Sequence, residues 1–169
     1  MMDRREALEK VLKAYEGYYN VKREQPEPPF AAEAEFRLHD ENYFLARSAR
    51  IGEADSREFV YFAIPENLSE EELLALDQKA WEHGLSRVQV HANHKNSDVV
   101  LVVLATHADA LAMKTAKSLH HYKSYSWGFK GWSQYRLIVV DLSTGQVSCN
   151  RQGRDLRKII DNTIYASKK

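Results

Sequence analysis

The segment Asp98–Ala105 constrains the fold more than any other part of this sequence. After its first residue it reads VVLVVLA, an uninterrupted apolar run. A strand that is exposed on one face alternates between apolar and polar residues, whereas a strand that is covered on both faces is apolar throughout. The sequence therefore predicts that this strand lies at the centre of a sheet whose two faces are both covered.

Segments with helical periodicity flank this strand on both sides. Asp3 with Glu6 and Ser69 with Glu72 form two capping boxes, in which the first side chain binds the unpaired amides of a helix start. The predicted helices are residues 4–19, residues 69–83, a third that passes through 111–119 and a fourth that begins at about 154.

Shorter segments of alternating or β-branched residues, separated by turn residues, predict strands. They are residues 34–39, 43–51, 58–64, 87–90, 98–105, 122–129, 133–142 and 146–149. The order α-βββ-α-β-β-α-βββ-α predicts an α+β fold, a mixed β-sheet with antiparallel meanders and about four helices. We expect a single domain over residues 1–169, made of the N-terminal helix 4–19, a proline-rich connector 20–30 and a main body 31–169.

The composition is typical of a soluble globular protein. The hydrophobic fraction of 44% and the charged fraction of 28% exclude general disorder. The single cysteine, Cys149, excludes an internal disulfide and a cysteine-rich metal site, and it suits a reducing compartment. The first residues lack the apolar segment of a secretory signal, and the longest apolar run is too short to cross a bilayer. We expect a cytoplasmic protein without a membrane partner or a cofactor.

Charge is unevenly distributed along the chain, although the formal net charge is zero. Residues 1–109 contain 21 acidic and 13 basic residues, a net charge of −8, and residues 110–169 contain 3 acidic and 11 basic residues, a net charge of +8. Such polarity is typical of a surface that faces an anion or a nucleic acid. It also arises when two oppositely charged parts of one chain pack together, and both interpretations stay open here.

The segment from Tyr122 to Arg136 reads YKSYSWGFKGWSQYR and combines aromatic with basic residues. If its first half is a strand, Tyr125, Trp127 and Phe129 lie on one face. Exposed aromatic side chains stack on bases or sugars, while neighbouring lysine and arginine side chains contact phosphates. The alternative is a half-buried hairpin whose aromatic side chains belong to the core.

Two more basic residues, Arg151 and Arg154, precede the last helix, where the amides of a helix N-terminus favour an anion. An ordinary loop before a helix is the alternative. The predicted ligand-binding residues are Lys123, Tyr125, Trp127, Lys130, Trp132, Arg136, Arg151 and Arg154. We expect Lys114 and Lys117 to extend the basic members of this set into one contiguous positive surface.

The loop from His91 to Asp98 reads HANHKNSD and is the best candidate for a metal site. His91, His94 and Asp98 supply two imidazoles and a carboxylate, a set that leaves one coordination position open for water. The alternative is a solvated turn, since two histidines three residues apart outside a helix do not face the same side.

The order of elements over about residues 4–105 resembles that of restriction-endonuclease-like folds. That family places an acid on one strand and Asp/Glu-x-Lys on the next, where two carboxylates hold a metal ion. Here Glu58 is followed by Phe59 and Val60, and Asp77-Gln-Lys79 has the spacing but lies in a predicted helix. The sequence therefore departs from the catalytic pattern of that family.

Four segments resemble those of a bacterial family that is a domain of unknown function. They are NHKNSD at 93–98, YKSY at 122–125, GWSQYR at 131–136 and CNRQG at 149–153. This resemblance covers most of the chain and implies no activity.

These observations favour a non-catalytic binding or interaction module that uses its basic, aromatic C-terminal third. The expected target is a polyanion or a protein, and a homo-oligomer in which opposite charges meet is a third interpretation. The alternative function is a metal-dependent phosphodiester hydrolase centred on His91, His94 and Asp98. The sequence contains no nucleophile elbow or other complete catalytic motif, and it does not decide whether the protein is an enzyme.

Overall fold

A computed structural model describes residues 1–37, 55–90 and 94–166 of the chain. The helices are α1 (Arg4–Glu16), α2 (Glu70–Ser86), α3 (Ala110–Ala116) and α4 (Leu156–Thr163). The strands are β1 (Asn20–Lys22), β2 (Ala32–Arg37), β3 (Asp55–Ala63), β4 (Asn67–Leu68), β5 (His94–Ala105), β6 (His107–Ala108), β7 (Tyr122–Ser124), β8 (Trp132–Asp141) and β9 (Gln146–Cys149). The predicted α+β class, the four helices and the order of elements are confirmed.

Seven strands form one mixed sheet in the order β1-β2-β3-β5-β8-β7, and β9 also pairs with β8. The central strands β3, β5 and β8 are parallel, whereas the pairs outside them are antiparallel. The two-residue strands β4 and β6 form a separate parallel pair. The run Val99–Ala105 lies in β5 between two partners, and all its residues are buried. This confirms the predicted central strand.

Helices cover both faces of the sheet, which explains the continuous apolar run of β5. On one face α1 and α4 pack against alternate residues of the central strands, among them Val60, Val100 and Ile138. On the other face α2 and α3 pack against the intervening residues, among them Phe59 and Leu101. Because successive side chains of a strand point to opposite faces, one apolar strand contributes to two hydrophobic cores.

Both predicted capping boxes start their helices as expected. Asp3 Oδ1 accepts hydrogen bonds from the amides of Arg5 (2.8 Å) and Glu6 (3.4 Å). Ser69 Oγ accepts one from the amide of Glu72 (3.1 Å). Each bond satisfies an amide that has no partner within its own helix, and such a cap stabilises a helix by about 1 kcal/mol.

The connection between α2 and the central strand differs from the prediction. The strand predicted at 87–90 is wrong, because α2 continues through Ser86 and residues 88–90 have no regular structure. β5 begins at His94, four residues before the predicted start. The strand predicted at 43–51 lies outside the described residues.

The longest described helix, α2, has 17 residues and carries three glutamates in its first turn. Within the described ranges, no helix combines the length and the apolar surface that crossing a bilayer requires.

Candidate binding surface

The connection between β7 and β8 is a compact loop of residues 125–131, which we call the aromatic tip. β7 ends at Ser124, so the longer strand predicted here is wrong beyond its third residue. The chain turns because Ser126 (φ 49°), Trp127 (φ 57°) and Gly128 (φ 89°) adopt left-handed backbone conformations, which strand residues do not. Successive side chains of the tip therefore do not alternate between two faces.

Two large aromatic side chains of the aromatic tip are almost fully exposed. Trp127 is 96% and Phe129 is 88% exposed, more than any other large apolar residue of the described chain. Tyr125 and Trp132, at the base of the tip, are half-buried. The alternative in which these aromatic side chains all belong to the core is therefore wrong for Trp127 and Phe129. Exposed large aromatic side chains that are neighbours in one loop are typical of a contact surface.

The base of the aromatic tip is fixed against β5. Gly131 (φ 82°) lies so close to that strand that a Cβ atom in its place would be 1.8 Å from the carbonyl oxygen of Lys95. The Tyr125 amide donates to the Gly131 carbonyl at 2.9 Å, and the Tyr125 and Ser133 hydroxyls form a hydrogen bond of 2.9 Å. These contacts hold the position from which Trp127 projects.

The lysines near the aromatic tip have no acidic partner among the residues that the structure describes. Lys123 and Lys130 are exposed, and within the described residues neither forms an ion pair. The Lys123 ammonium lies over the Tyr125 ring, 5.6 Å from its centroid. Lys114 and Lys117, in and after α3, are likewise exposed and not paired with a described acid. The described acidic residues therefore do not neutralise these lysines through ion pairs, and a contiguous positive surface stays a prediction.

Arg136 belongs to a different group of residues, which we call the charge network. Its Nη2 is 3.0 Å from Asp98 Oδ2, and its Nη1 is 3.2 Å from Asp155 Oδ2. The Tyr19 hydroxyl donates to Glu58 Oε2 at 2.9 Å in the same network. The Arg136 guanidinium, which the sequence suggested for phosphate contact, is thus paired with two carboxylates.

Burial governs the electrostatics of the charge network. It raises the pKa of Glu58 to about 7, although Arg136 opposes this shift. Burial also raises the pKa of Asp98, again against the attraction of Arg136. Asp98, which is paired with Glu58 across β3 and β5, further raises the pKa of Glu58 because a neighbouring negative charge disfavours its ionisation. The network therefore gains or loses a proton close to neutral pH.

Sequence reasoning missed the charge network as a unit. Glu58, Asp98 and Arg136 lie on three adjacent parallel strands, and the register between those strands is not visible in any local pattern. The one available signal was that Glu58 and Asp98 each directly precede an apolar run. A carboxylate at the start of a buried segment requires a partner, and that partner, Arg136, lies much later in the sequence.

Arg151 and Arg154 are exposed at the 3₁₀ turn before α4. Gly153 in this turn lies against β8, where a Cβ atom would be 2.4 Å from the carbonyl oxygen of Leu137. The Gly153 amide donates to Asn150 Oδ1 at 2.9 Å, so it is not available to an anion. Leu137 is five residues from the start of β8, about 17 Å along the strand. Apart from Arg136, which belongs to the charge network, the predicted ligand-binding residues therefore form two groups, one at the aromatic tip and one beside α4.

His94 and Asp98 both lie on β5 but have different partners. His94 Nδ1 is 2.6 Å from the Lys130 carbonyl oxygen, and its Nε2 is 2.8 Å from Ser97 Oγ. Asp98 is paired with Arg136. His91 lies outside the described residues, and the residues that the structure describes contain no group of three or more histidine, cysteine or acidic side chains that could hold a metal ion. The metal site stays a prediction that these contacts do not favour.

A protein-family model matches most of the chain. The family model described as "Domain of unknown function (DUF8052)" matches residues 3–162. No curated protein and no solved structure matches the chain.

Proposed function

The chain belongs to the DUF8052 family, a domain of unknown function, and we propose that it is a non-catalytic binding module whose aromatic tip contacts single-stranded nucleic acid. The observation that carries the proposal is the near-complete exposure of Trp127 and Phe129 beside lysines that pair with no described acid. Folding gains nothing from these exposed rings, whereas a partner that covers them gains hydrophobic and stacking free energy.

The chemistry of the aromatic tip matches that of an unpaired polynucleotide. An exposed indole or phenyl face stacks on an unpaired base, and each stacked base contributes about 1–3 kcal/mol. Lys123 and Lys130 flank the two rings and can neutralise phosphates on either side of a stacked base. Because the bases of a duplex already stack on one another, a protruding ring favours single strands.

The composition around the aromatic tip supports an anionic target. No acidic residue occurs between Asp109 and Asp141, a stretch that contains the whole hairpin and the preceding helix. Lys114 and Lys117 are proposed to continue the positive surface, and Arg151 and Arg154 are proposed as a second contact beside α4. The uneven distribution of charge along the chain is thus proposed to serve the binding of an anionic partner as well as ion pairs within the protein.

The remaining expectations fit this proposal without being required by it. A single domain, a bacterial origin and a cytoplasmic location with a reduced Cys149 are proposed on the grounds given by the sequence. A relationship to restriction-endonuclease-like folds is supported by the antiparallel β1–β3 and the parallel β5. Arg136 pairs with Asp98 beside Glu58, so we propose no metal-dependent cleavage there.

The experiment that tests this proposal is a titration of the wild-type protein with a single-stranded oligonucleotide of about 15 nucleotides, a length that covers one binding site of this kind. Stacking on Trp127 should quench tryptophan fluorescence, and a duplex of the same sequence should compete poorly. Phe129→Ala should weaken binding while it keeps the Trp127 reporter. Leu74→Ala, which removes an exposed apolar side chain from α2, is the matched control.

The absence of quenching and of any shift in the mobility of the labelled oligonucleotide would overturn the proposal. Concentration-dependent self-association that Phe129→Ala abolishes would also overturn it, in favour of a homo-oligomer joined through the aromatic tip. Equal affinity for the duplex would contradict stacking and leave only general attraction of phosphates.

A further inference from the structure

We propose that His94 is the positioning residue of the aromatic tip, and that it sets the loop conformation in which Trp127 and Phe129 meet a partner. This inference rests on the proposed function for its purpose. Its structural half, the ordering of the tip, is measurable without any ligand. His94 therefore has a role that differs from the metal ligation suggested by the sequence.

The hydrogen bonds of His94 fix both the ring and its tautomer. The side chain is buried at the start of β5, with 4% of the residue exposed. The Lys130 carbonyl oxygen is only an acceptor, so Nδ1 at 2.6 Å must carry the hydrogen. In the neutral ring Nε2 then accepts from the hydroxyl of Ser97 at 2.8 Å, and Ser97 is itself completely buried.

His94 contacts both ends of the aromatic tip. Its ring packs edge-on against Tyr125, with 5.5 Å between the ring centroids, at the start of the loop. Its Nδ1 binds the carbonyl of Lys130 at the end of the loop. The Lys130 amide in turn donates to the Tyr125 carbonyl at 3.1 Å. The buried imidazole of His94 on β5 thus connects the start of the loop with its end.

The aromatic tip needs such a contact because its own backbone is unfavourable. Ser126 and Trp127 are not glycines, yet both have positive φ angles, which costs roughly 1–2 kcal/mol for each residue. The exposed rings of Trp127 and Phe129 bury nothing that offsets this cost. Contacts at the base of the loop must therefore stabilise it. A loop held in its bound conformation also loses less entropy when a partner binds.

Two substitutions distinguish the role of the Nδ1 hydrogen bond of His94 from the role of its Nε2 hydrogen bond. In His94→Asn the side-chain amide occupies the position of Nδ1 and can still donate to the Lys130 carbonyl. In His94→Gln the amide extends to the position of Nε2, where it reaches Ser97 but not Lys130. Both variants lose the aromatic ring and keep a polar group, so they are matched controls for each other.

The experiment measures hydrogen exchange of the amides in residues 126–131 in both variants without ligand, and then their affinity for the single-stranded oligonucleotide. We expect His94→Gln to exchange these amides about tenfold faster than His94→Asn. Its affinity should be about fivefold lower, because disorder of the tip reduces preorganisation. Exchange of the β5 amides 99–104 reports any general loss of stability.

Equal protection of the tip in wild type, His94→Asn and His94→Gln would overturn the positioning role. So would faster exchange in His94→Asn than in His94→Gln, since that result would make Ser97 the partner that matters. If the tip loosens only in His94→Gln and the wild type binds no oligonucleotide, the positioning role stands and the proposed function fails.

Discussion

The aromatic tip and the charge network lie in the same part of the sheet, around the first residues of β5 and β8, and they use charge in opposite ways. In the charge network, the guanidinium of Arg136 contacts two carboxylates, and the carboxyl of Glu58 accepts a hydrogen bond from Tyr19. In the aromatic tip, no described acid pairs with Lys123 or Lys130.

The difference indicates which residues serve the fold and which serve a partner. Charges that are paired inside the protein have given up contact with water for contact with one another, so their loss is measured as a change in stability. Charges and aromatic rings that face water contribute little to folding, so their loss is measured as lost binding. We therefore expect substitutions in the two regions to separate cleanly between these two measurements.

The largest expected effect is that of Arg136→Met on stability. This substitution leaves Asp98, whose side chain is 6% exposed, without its counter-charge. Removing one partner of such a pair should lower the free energy of unfolding by about 3 kcal/mol, as measured by urea denaturation. Arg157→Met, on the exposed side of α4, is the control and should be nearly neutral. Unchanged stability of Arg136→Met would break the comparison.

Glu58→Gln is expected to stabilise the protein in a pH-dependent manner. The pKa of Glu58 rises from 4.5 to about 7 on folding, so between these values the unfolded chain loses a proton that the folded chain keeps. The contribution of Glu58 to the free energy of unfolding is therefore fully present below about pH 4.5 and is lost as the pH rises to about 7. The uncharged amide avoids that loss and still accepts the hydrogen bond from Tyr19.

The measurement for Glu58→Gln is the free energy of unfolding across this pH range. The variant should exceed wild type by on the order of 2 kcal/mol at about pH 8 and match it at about pH 4. A difference between variant and wild type that does not change with pH would contradict the assignment of the raised pKa to Glu58.

The lysines of the aromatic tip are expected to have a smaller effect, confined to binding. Lys123→Gln and Lys130→Gln should each reduce the slope of log K against log salt by about 0.7 for the single-stranded oligonucleotide. Neither should change the melting temperature. Lys13→Gln on α1 is the control for a general change in net charge. If the slope is the same in all three variants and wild type, the phosphates are contacted elsewhere.

The smallest expected effect is that of added metal ions, which should leave the melting temperature unchanged. A site formed by His91, His94 and Asp98 would join the residue that holds the aromatic tip to a residue of the charge network. Bound metal would raise the melting temperature by mass action. A rise with Zn²⁺ or Mn²⁺ that His94→Ala abolishes would contradict the separate roles given to the two regions.

The sequence predicted the fold well where the structure depends on residues that are close together in the sequence. The apolar run of β5, the two capping boxes and the order of elements all follow from patterns within a few residues. The strand predicted at 87–90 failed because α2, which the sequence predicted to end at residue 83, continues to Ser86. The hairpin failed at Ser126 and Trp127, since strict alternation predicts a strand and does not reveal positive φ angles at residues other than glycine.

The candidate site was predictable only in part, because it depends on distant parts of the chain. The aromatic and basic residues of the tip were identified from composition, but their exposure was not. Arg136 appeared as one more basic residue of that surface, and only the register of β3, β5 and β8 pairs it with Asp98. His94 appeared as a metal ligand for the same reason, since the carbonyl that it binds lies 36 residues later.

The most direct test of the central claim is Trp127→Ala, with the melting midpoint and the affinity for a labelled single-stranded oligonucleotide measured on the same protein. Because Trp127 is 96% exposed, its loss should change the free energy of unfolding by less than about 0.5 kcal/mol. The loss of one stacked base, about 1–3 kcal/mol, should weaken binding at least about fivefold. A stability loss of roughly 3–5 kcal/mol with unchanged binding would show that Trp127 is a core residue and would contradict the account.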